Sequence, residues 1–170
     1  DASEFAVQLL RDQIGKKVYP VHRLDRKTGG VLLFALNETV NKKMQEAFMN
    51  SAVKKKYLAL VRGFTPEKGT INYPLTSEDR GVQEAITHFR TLEQFELPIP
   101  FGKFDTSRYS LVEVTPETGR MHQIRKHFAH IFHPIIGDRP HGCNKQNKLF
   151  LEKWNMNTML LHATELEFHH

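Results

Sequence analysis

The sequence predicts an α+β fold: a mixed, largely antiparallel β-sheet with flanking helices. Three observations lead there. Strand-like stretches ("KKKYLALVRG", "AITHFRTLEQFEL", "SRYSLVEVTP", "MLLHATELEF") interleave with segments of helical period. The strands are mostly of the hairpin type, bounded by turn residues. Strict β-α-β repetition, which would signal a parallel sheet, is absent, as are internal repeats and low-complexity tracts. At 170 residues, 39% apolar and 25% charged, the chain has the make-up of one globular domain large enough to bury a core.

Taken in order, "EFAVQLLRDQIG" is predicted as a short helix, since Phe5, Leu9 and Leu10 share a face and Gly15 offers a stop. "VYPVH" is extended, and Pro20 restricts it to a sheet edge or a short strand. After "HRLDRKTGG" (22–30), the continuous apolar run "VLLFAL" is expected as a strand covered on both faces. Asn37 is placed to N-cap "ETVNKKMQEAFMN", where Val40, Met44, Ala47 and Phe48 recur with helical spacing. "KKKYLALVRG" returns as a strand, followed by a Thr-Pro-Glu-Lys-Gly turn and a short strand, "TINYPL". Polar "TSEDRGVQE" is expected as loop.

"AITHFRTLEQFEL" and "SRYSLVEVTP" alternate as strands and are joined by "PIPFGKFDT". "ETGRMHQIRKHFAHIFHP" is predicted as a helix after its glycine, ended by Pro134, with Met121, Ile124, Phe128 and Phe132 as one apolar stripe. A late helix or loop through "LFLEKWN" and a last strand, "MLLHATELEF", complete the chain.

No apolar run approaches the roughly 18–20 residues that span a bilayer, and the start has no signal-peptide pattern. The first residue is not Met, so the chain is expected to begin partway into a longer protein, with an N-terminal part of the fold missing. A lone Cys143 excludes an internal disulfide and favours a reducing, cytoplasmic setting. The net charge is +5, and residues 120–148 carry all of that excess, with six Lys/Arg and five His against Asp138 alone. Such a segment is either a surface for a polyanion or a solvated basic face.

Three groups carry candidate chemistry. Asp25, flanked by Arg23 and Arg26, is expected to stay ionised, either as a nucleophile or base or as a salt-bridged turn residue. Tyr57 is either core packing or a ring on which a nucleobase stacks, with the three lysines beside it for phosphates. On the predicted helix, His122 and Arg125 share a face, and Arg125 is either a surface cation or the holder of a carboxylate through a forked hydrogen bond. His122, His127, His130 and His133 lack the i, i+4 spacing that joins two imidazoles to one metal on a helix, so no metal site is assigned. Neither a nucleophile elbow nor a phosphate loop is present.

Together and in this order, "HRLDRKTGGVLLFA", "KKKYLALVRG" and "TGRMHQIRKHFAHIFHPIIGD" resemble the aspartate, tyrosine and arginine motifs of the RluA-type pseudouridine synthases, over nearly the whole chain. The resemblance implies that family's sheet with a central catalytic cleft. Asp25 would then be the nucleophilic aspartate, Tyr57 the ring stacked on the target uracil, and Arg125 the partner of the aspartate. Arg23, Arg26, Lys56, Arg120, His122 and Lys126 are candidate RNA contacts. It implies an RNA partner, with no cofactor, metal, membrane or protein partner. "THFR", "SRYSLVEVTPETGR" and "MLLHATEL" point to the branch that modifies tRNA, at uridine 65 of the T-stem; ribosomal RNA is the alternative substrate. A non-catalytic RNA-binding module and a metal-dependent hydrolase are rival classes. Three features depart from the family: Gly29 stands where most members have Ser, the upstream Lys-Pro-x-Gly strand is missing, and the "TSEDRGVQE" loop is short.

Overall fold

A computed structural model describes residues 5–169. The first helix, α1 (Ala6–Ile14), ends where predicted, because Gly15 takes a left-handed φ of 65° and its N–H donates to the Arg11 carbonyl. None of its residues is buried, and Phe5 and Leu9 stay exposed; residue 4, the start of the predicted stretch, lies outside the described residues. Next come β1 (Tyr19–Pro20), β2 (Gly29–Gly30) and β3 (Phe34–Ala35).

The run "VLLFAL" corrects an expectation. Only Phe34–Ala35 is strand, and Val31 and Leu36 are exposed. Its hydrogen bonds give the reason. Val31 N–H donates to Ala163 at one end of the run, while Leu33 N–H donates to His22 Nε2 and Leu33 C=O accepts from Val21 N–H. The segment leaves one sheet and enters another, so no single pair of layers covers it.

In α2 (Glu38–Met49), Asn37 caps as predicted, its side chain accepting from Val40 N–H at 2.9 Å. Val40, Met44, Ala47 and Phe48 pack with Val21, Ala35 and Val53 in one cluster. The remaining strands are β4 (Lys54–Arg62), β5 (Lys68–Asn72), β6 (Leu75–Ser77), β7 (Gly81–Gln83), β8 (Ile86–Leu97), β9 (Ser107–Pro116) and β10 (Leu161–Glu167). Part of "TSEDRGVQE", expected as loop, forms the β6–β7 hairpin. Gly81, with φ 64°, opens its second strand, and the two strands exchange ladder bonds that outweigh the polar composition.

Six strands make the main sheet in the order β2-β10-β4-β9-β8-β5. The β2–β10 pair is parallel and every other pair antiparallel, so the sheet is mixed and largely antiparallel, as predicted. Central strand β4 obeys period-two alternation: Tyr57, Ala59 and Val61 join a core with Ile124 and Phe128, whereas Leu60 joins the cluster of Tyr109, Ile136 and Phe150.

The helix α3 (Gln123–His130) is shorter than the sequence suggests. Of the predicted stripe only Ile124 and Phe128 are buried; Met121 (68% exposed) and Phe132 (88% exposed) lie outside the helix. Both ends break because His122 and Phe132 adopt left-handed φ values of 56° and 65°. Finally, α4 (Asn144–Trp154) turns "LFLEKWN" into helix, anchored by Tyr109 O–H donating to Gln146 Oε1 at 2.6 Å and by the Tyr109–Phe150 edge contact. Among the described residues no helix is long and apolar enough to cross a membrane.

Candidate active site

The turn that carries Asp25 is closed by Thr28 N–H donating to the Asp25 carbonyl at 2.8 Å. Gly30 then takes φ 114° against the Ala163 backbone, a close approach that leaves no room for a Cβ. This clamps the end of the turn to β10, beside β4. Tyr57 sits on the cleft face of β4. Arg125 lies one turn into α3, whose entry is set by Gln123. That buried amide accepts from Thr118 O–H and Arg120 N–H and donates to Ile86 C=O and Thr87 Oγ1, so all four of its hydrogen-bonding positions are used.

These three elements surround a cleft of about 580 Å³, and Asp25, Tyr57 and Arg125 all line it. Arg125 Nη1 donates to Asp25 Oδ2 at 2.9 Å across 100 residues of sequence. The fork expected from the sequence exists but points elsewhere. Nε and Nη2 of Arg125 bind Asp138 Oδ2 and Oδ1 at 2.8 and 2.9 Å, leaving Nη1 alone for Asp25. Asp138 is 1% exposed. Burial pushes its carboxyl up, but the bonds from Arg125 and from the His141 amide outweigh this and hold it below the usual carboxylate range.

The other Asp25 oxygen, Oδ1, lies 3.9 Å from His122 Nε2, beyond hydrogen-bonding distance. His122 precedes α3 rather than sharing a helical face with Arg125, and its strained φ swings the ring to the cleft, where Nδ1 meets His141 Nε2 at 3.0 Å. Burial lowers the pKa of both imidazoles, keeping them neutral at neutral pH. Burial, with the Asp25 charge as a second cause, raises the Tyr57 phenol, which therefore keeps its proton.

Among the described residues neither Arg23 nor Arg26 forms an ion pair. The salt bridge of Asp25 is thus the distant one to Arg125. Arg23, Arg120 and His122 line the cleft; Arg26, Lys56 and Lys126 do not. Strand alternation turns Lys56 to the other face of β4, where it pairs with Glu165 at 3.0 Å. The same alternation puts Lys55 in the cleft, and the tip of the β6–β7 hairpin adds Arg80. Sequence reasoning missed Arg80, Gln123 and Asp138, and of the three lysines beside Tyr57 it singled out Lys56 rather than Lys55. Lys55 was findable, because it is two residues from Tyr57 in a strand.

The remaining histidines have structural partners. His127 Nε2–H donates to the Tyr73 carbonyl while Nδ1 accepts from Thr87 O–H, His130 stacks on Tyr73, and His133 Nδ1 meets the Arg62 carbonyl. Among the described residues no group of three or more His, Cys, Asp or Glu is gathered as a metal would require.

A family model described as RNA pseudouridylate synthase matches residues 2–130. The chain is 48% identical to the tRNA pseudouridine synthase C of Haemophilus ducreyi, over 98% of this chain and 72% of that protein. It is 46% identical to the tRNA pseudouridine synthase C of Vibrio cholerae, over 99% and 73%. The fold superposes on human RNA pseudouridylate synthase domain containing 1 with a TM-score of 0.76 and 27% identity, covering 92% of this chain and 66% of that one. With a family match over most of its length and relatives at this identity, the chain belongs to the RNA pseudouridylate synthase family.

Proposed function

We propose that this isomerase converts a uridine of tRNA to pseudouridine, with Asp25 as the reacting carboxylate. One observation carries the reading: Asp25 is fixed through a single oxygen by Arg125, while among the described residues its other oxygen accepts no hydrogen bond, in a cleft that Tyr57 also lines. Product and substrate have the same atoms. The N1–C1′ bond breaks, the base turns, a C5–C1′ bond forms, and the proton leaving C5 is balanced by one gained at N1.

A base inside an RNA helix must first be extruded, at a cost of a few kcal/mol. Stacking on Tyr57 offsets about 1–3 kcal/mol of that. Arg23 and Arg80, which line the cleft and form no ion pair among the described residues, supply the charge that attracts the backbone. Asp25 then starts detachment, by adding to C1′ or by taking a proton so that the base leaves as an anion; Arg125 keeps the carboxylate aimed in either route.

The names of the relatives favour tRNA, the resemblance favours uridine 65 of the T-stem, and the reading places the protein in the cytoplasm. Incubation with unmodified tRNA and ribosomal RNA, followed by mapping of pseudouridine, tests the substrate and the position. The expected product is a single T-stem pseudouridine. Modification confined to ribosomal RNA overturns the substrate and keeps the chemistry. Asp25→Asn should abolish product with tRNA binding changed less than about threefold, and turnover retained in that variant removes Asp25 from the chemistry.

A further inference from the structure

β4 opens with three lysines, and the structure treats the middle one differently. Lys54 pairs with Glu167 and Lys56 with Glu165, each at 3.0 Å on exposed surface. Lys55 is only 8% exposed, and among the described residues it has neither an ion pair nor a side-chain hydrogen bond. Its side chain lies on the Tyr57 face of the strand and lines the same cleft. Two residues of strand separate their Cα atoms by about 6.6 Å, so the ring and the ammonium stand side by side on one wall of the cleft.

Among the described residues no acidic side chain pairs with this ammonium. Gly119 presents only backbone, and a Cβ there would sit 3.8 Å from Lys55 Nζ. The neighbouring His22 accepts the Leu33 amide at Nε2 and stacks on Phe48, and burial, followed by the charge of Lys55, pushes it towards the neutral form against the opposing pull of the Arg23 backbone. Asp25 and Asp138 are both bound to Arg125. Burial alone drives the Lys55 ammonium towards deprotonation. A desolvated cation without a counter-ion is costly, and a fold tolerates it where a ligand supplies the missing charge.

We propose that Lys55 binds a phosphate oxygen of the RNA next to the extruded nucleotide, so that the cleft measures the distance from a base stacked on Tyr57 to its own backbone. This rests on the assignment of the cleft to an RNA uridine. RNA carries one anion per nucleotide, whereas uracil before detachment is neutral, so phosphate is the partner that matches a preformed charge.

The test is binding and turnover of unmodified tRNA across a potassium chloride series, with Lys55→Met, Lys55→Arg and, as a control for loss of an exposed charge, Lys54→Met. For Lys55→Met the magnitude of the slope of log affinity against log salt should drop by about 0.7–0.9, the signature of one phosphate contact. Its KM should rise roughly tenfold or more with kcat little changed, as expected from loss of a charge-assisted hydrogen bond. Lys55→Arg should keep the wild-type slope, and Lys54→Met should change it by less than half as much.

The Tm of Lys55→Met should hold or rise, because an unpaired buried charge has been removed; a purely structural lysine would lower it. An unchanged salt slope for Lys55→Met overturns the proposal, and a lowered kcat with that unchanged slope would assign the ammonium to the departing uracil instead. Binding is read separately from product. A wild-type protein that binds tRNA without isomerising it therefore counts against the proposed function, while the slopes still decide the role of Lys55.

Discussion

Asp138 does not line the cleft in which the reaction is placed, yet Asp138→Asn is expected to be among the most damaging conservative substitutions in the protein. Its two oxygens accept the Nε and Nη2 of Arg125, and Oδ1 also accepts the His141 amide at 3.2 Å. An asparagine keeps one acceptor and turns an NH2 group towards a guanidinium that only donates. With Asp138 1% exposed, water has no room to repair the mismatch. Breaking a buried pair costs about 3–5 kcal/mol. Because Asp25 still neutralises Arg125, the low end applies, about 3 kcal/mol, which for a chain of this size lowers the Tm by about 6–12 °C.

The functional loss is separate. Without its fork Arg125 can turn about its remaining bond, and a shift of about 1 Å in the carboxylate proposed to react is worth on the order of 100-fold in rate. Turnover of unmodified tRNA, measured well below the melting point of the variant, should show kcat reduced on that scale with KM changed less than about threefold. A kcat within threefold of wild type, accompanied by the expected fall in Tm, would refute the reasoning and leave Asp138 a purely structural acid. The pH dependence supplies a further check. A carboxyl held below its unfolded value stabilises the fold above that value, about pH 3.9, and loses this contribution as pH falls through its folded value. The variant should therefore show a shallower loss of stability in acid.

Tyr57→Phe should retain kcat/KM within about threefold if the ring acts by stacking, whereas Tyr57→Ala should lose roughly 10–100-fold, the worth of one base–aromatic stack; a Phe variant as poor as Ala would show that the hydroxyl matters. Gly29→Ser restores the residue usual in the resembling family. Its Cβ would sit 2.9 Å from Nδ1 of His162, an exposed ring free to rotate away, so the Tm should move by less than about 2 °C and activity should be unchanged. A larger drop, read by thermal melting, would show that His162 is fixed.

Much of this fold is legible where the determining physics is local. Asn37 caps because its own side chain reaches an amide three residues on, and the alternation of "KKKYLALV" gives both the strand and the face of Tyr57. Legibility ends where a distant partner decides. The apolar run "VLLFAL" cannot announce that it crosses between two sheets. Met121 and Phe132 fit a helical stripe, but His122 and Phe132 turn the backbone left-handed, and both apolar side chains finish exposed. For the site, the order of the motifs brings Asp25, Tyr57 and Arg125 together on the page. That order says nothing of Asp138, because a Gly-Asp turn has no local mark that its acid will hold an arginine. Lys55 was different: strand alternation already separated it from Lys56.

The chain's basic charge takes on two distinct tasks in the cleft. Arg23 and Arg26, which flank Asp25 in sequence, form no ion pair with it among the described residues, and Arg23 lines the cleft with Arg80 and Lys55. Among the described residues only Arg125 hydrogen-bonds the Asp25 carboxylate, and two of its three bonds are given to Asp138. A carboxylate forked by its own arginine would have both oxygens bonded and neither ready to react. Committing the fork to a second, buried acid fixes the guanidinium as a rigid post and holds Asp25 by one oxygen, leaving Oδ1 without a hydrogen bond beside Tyr57. On the proposed function, cations that attract an anionic backbone can then share the cleft with Asp25 without pairing with it.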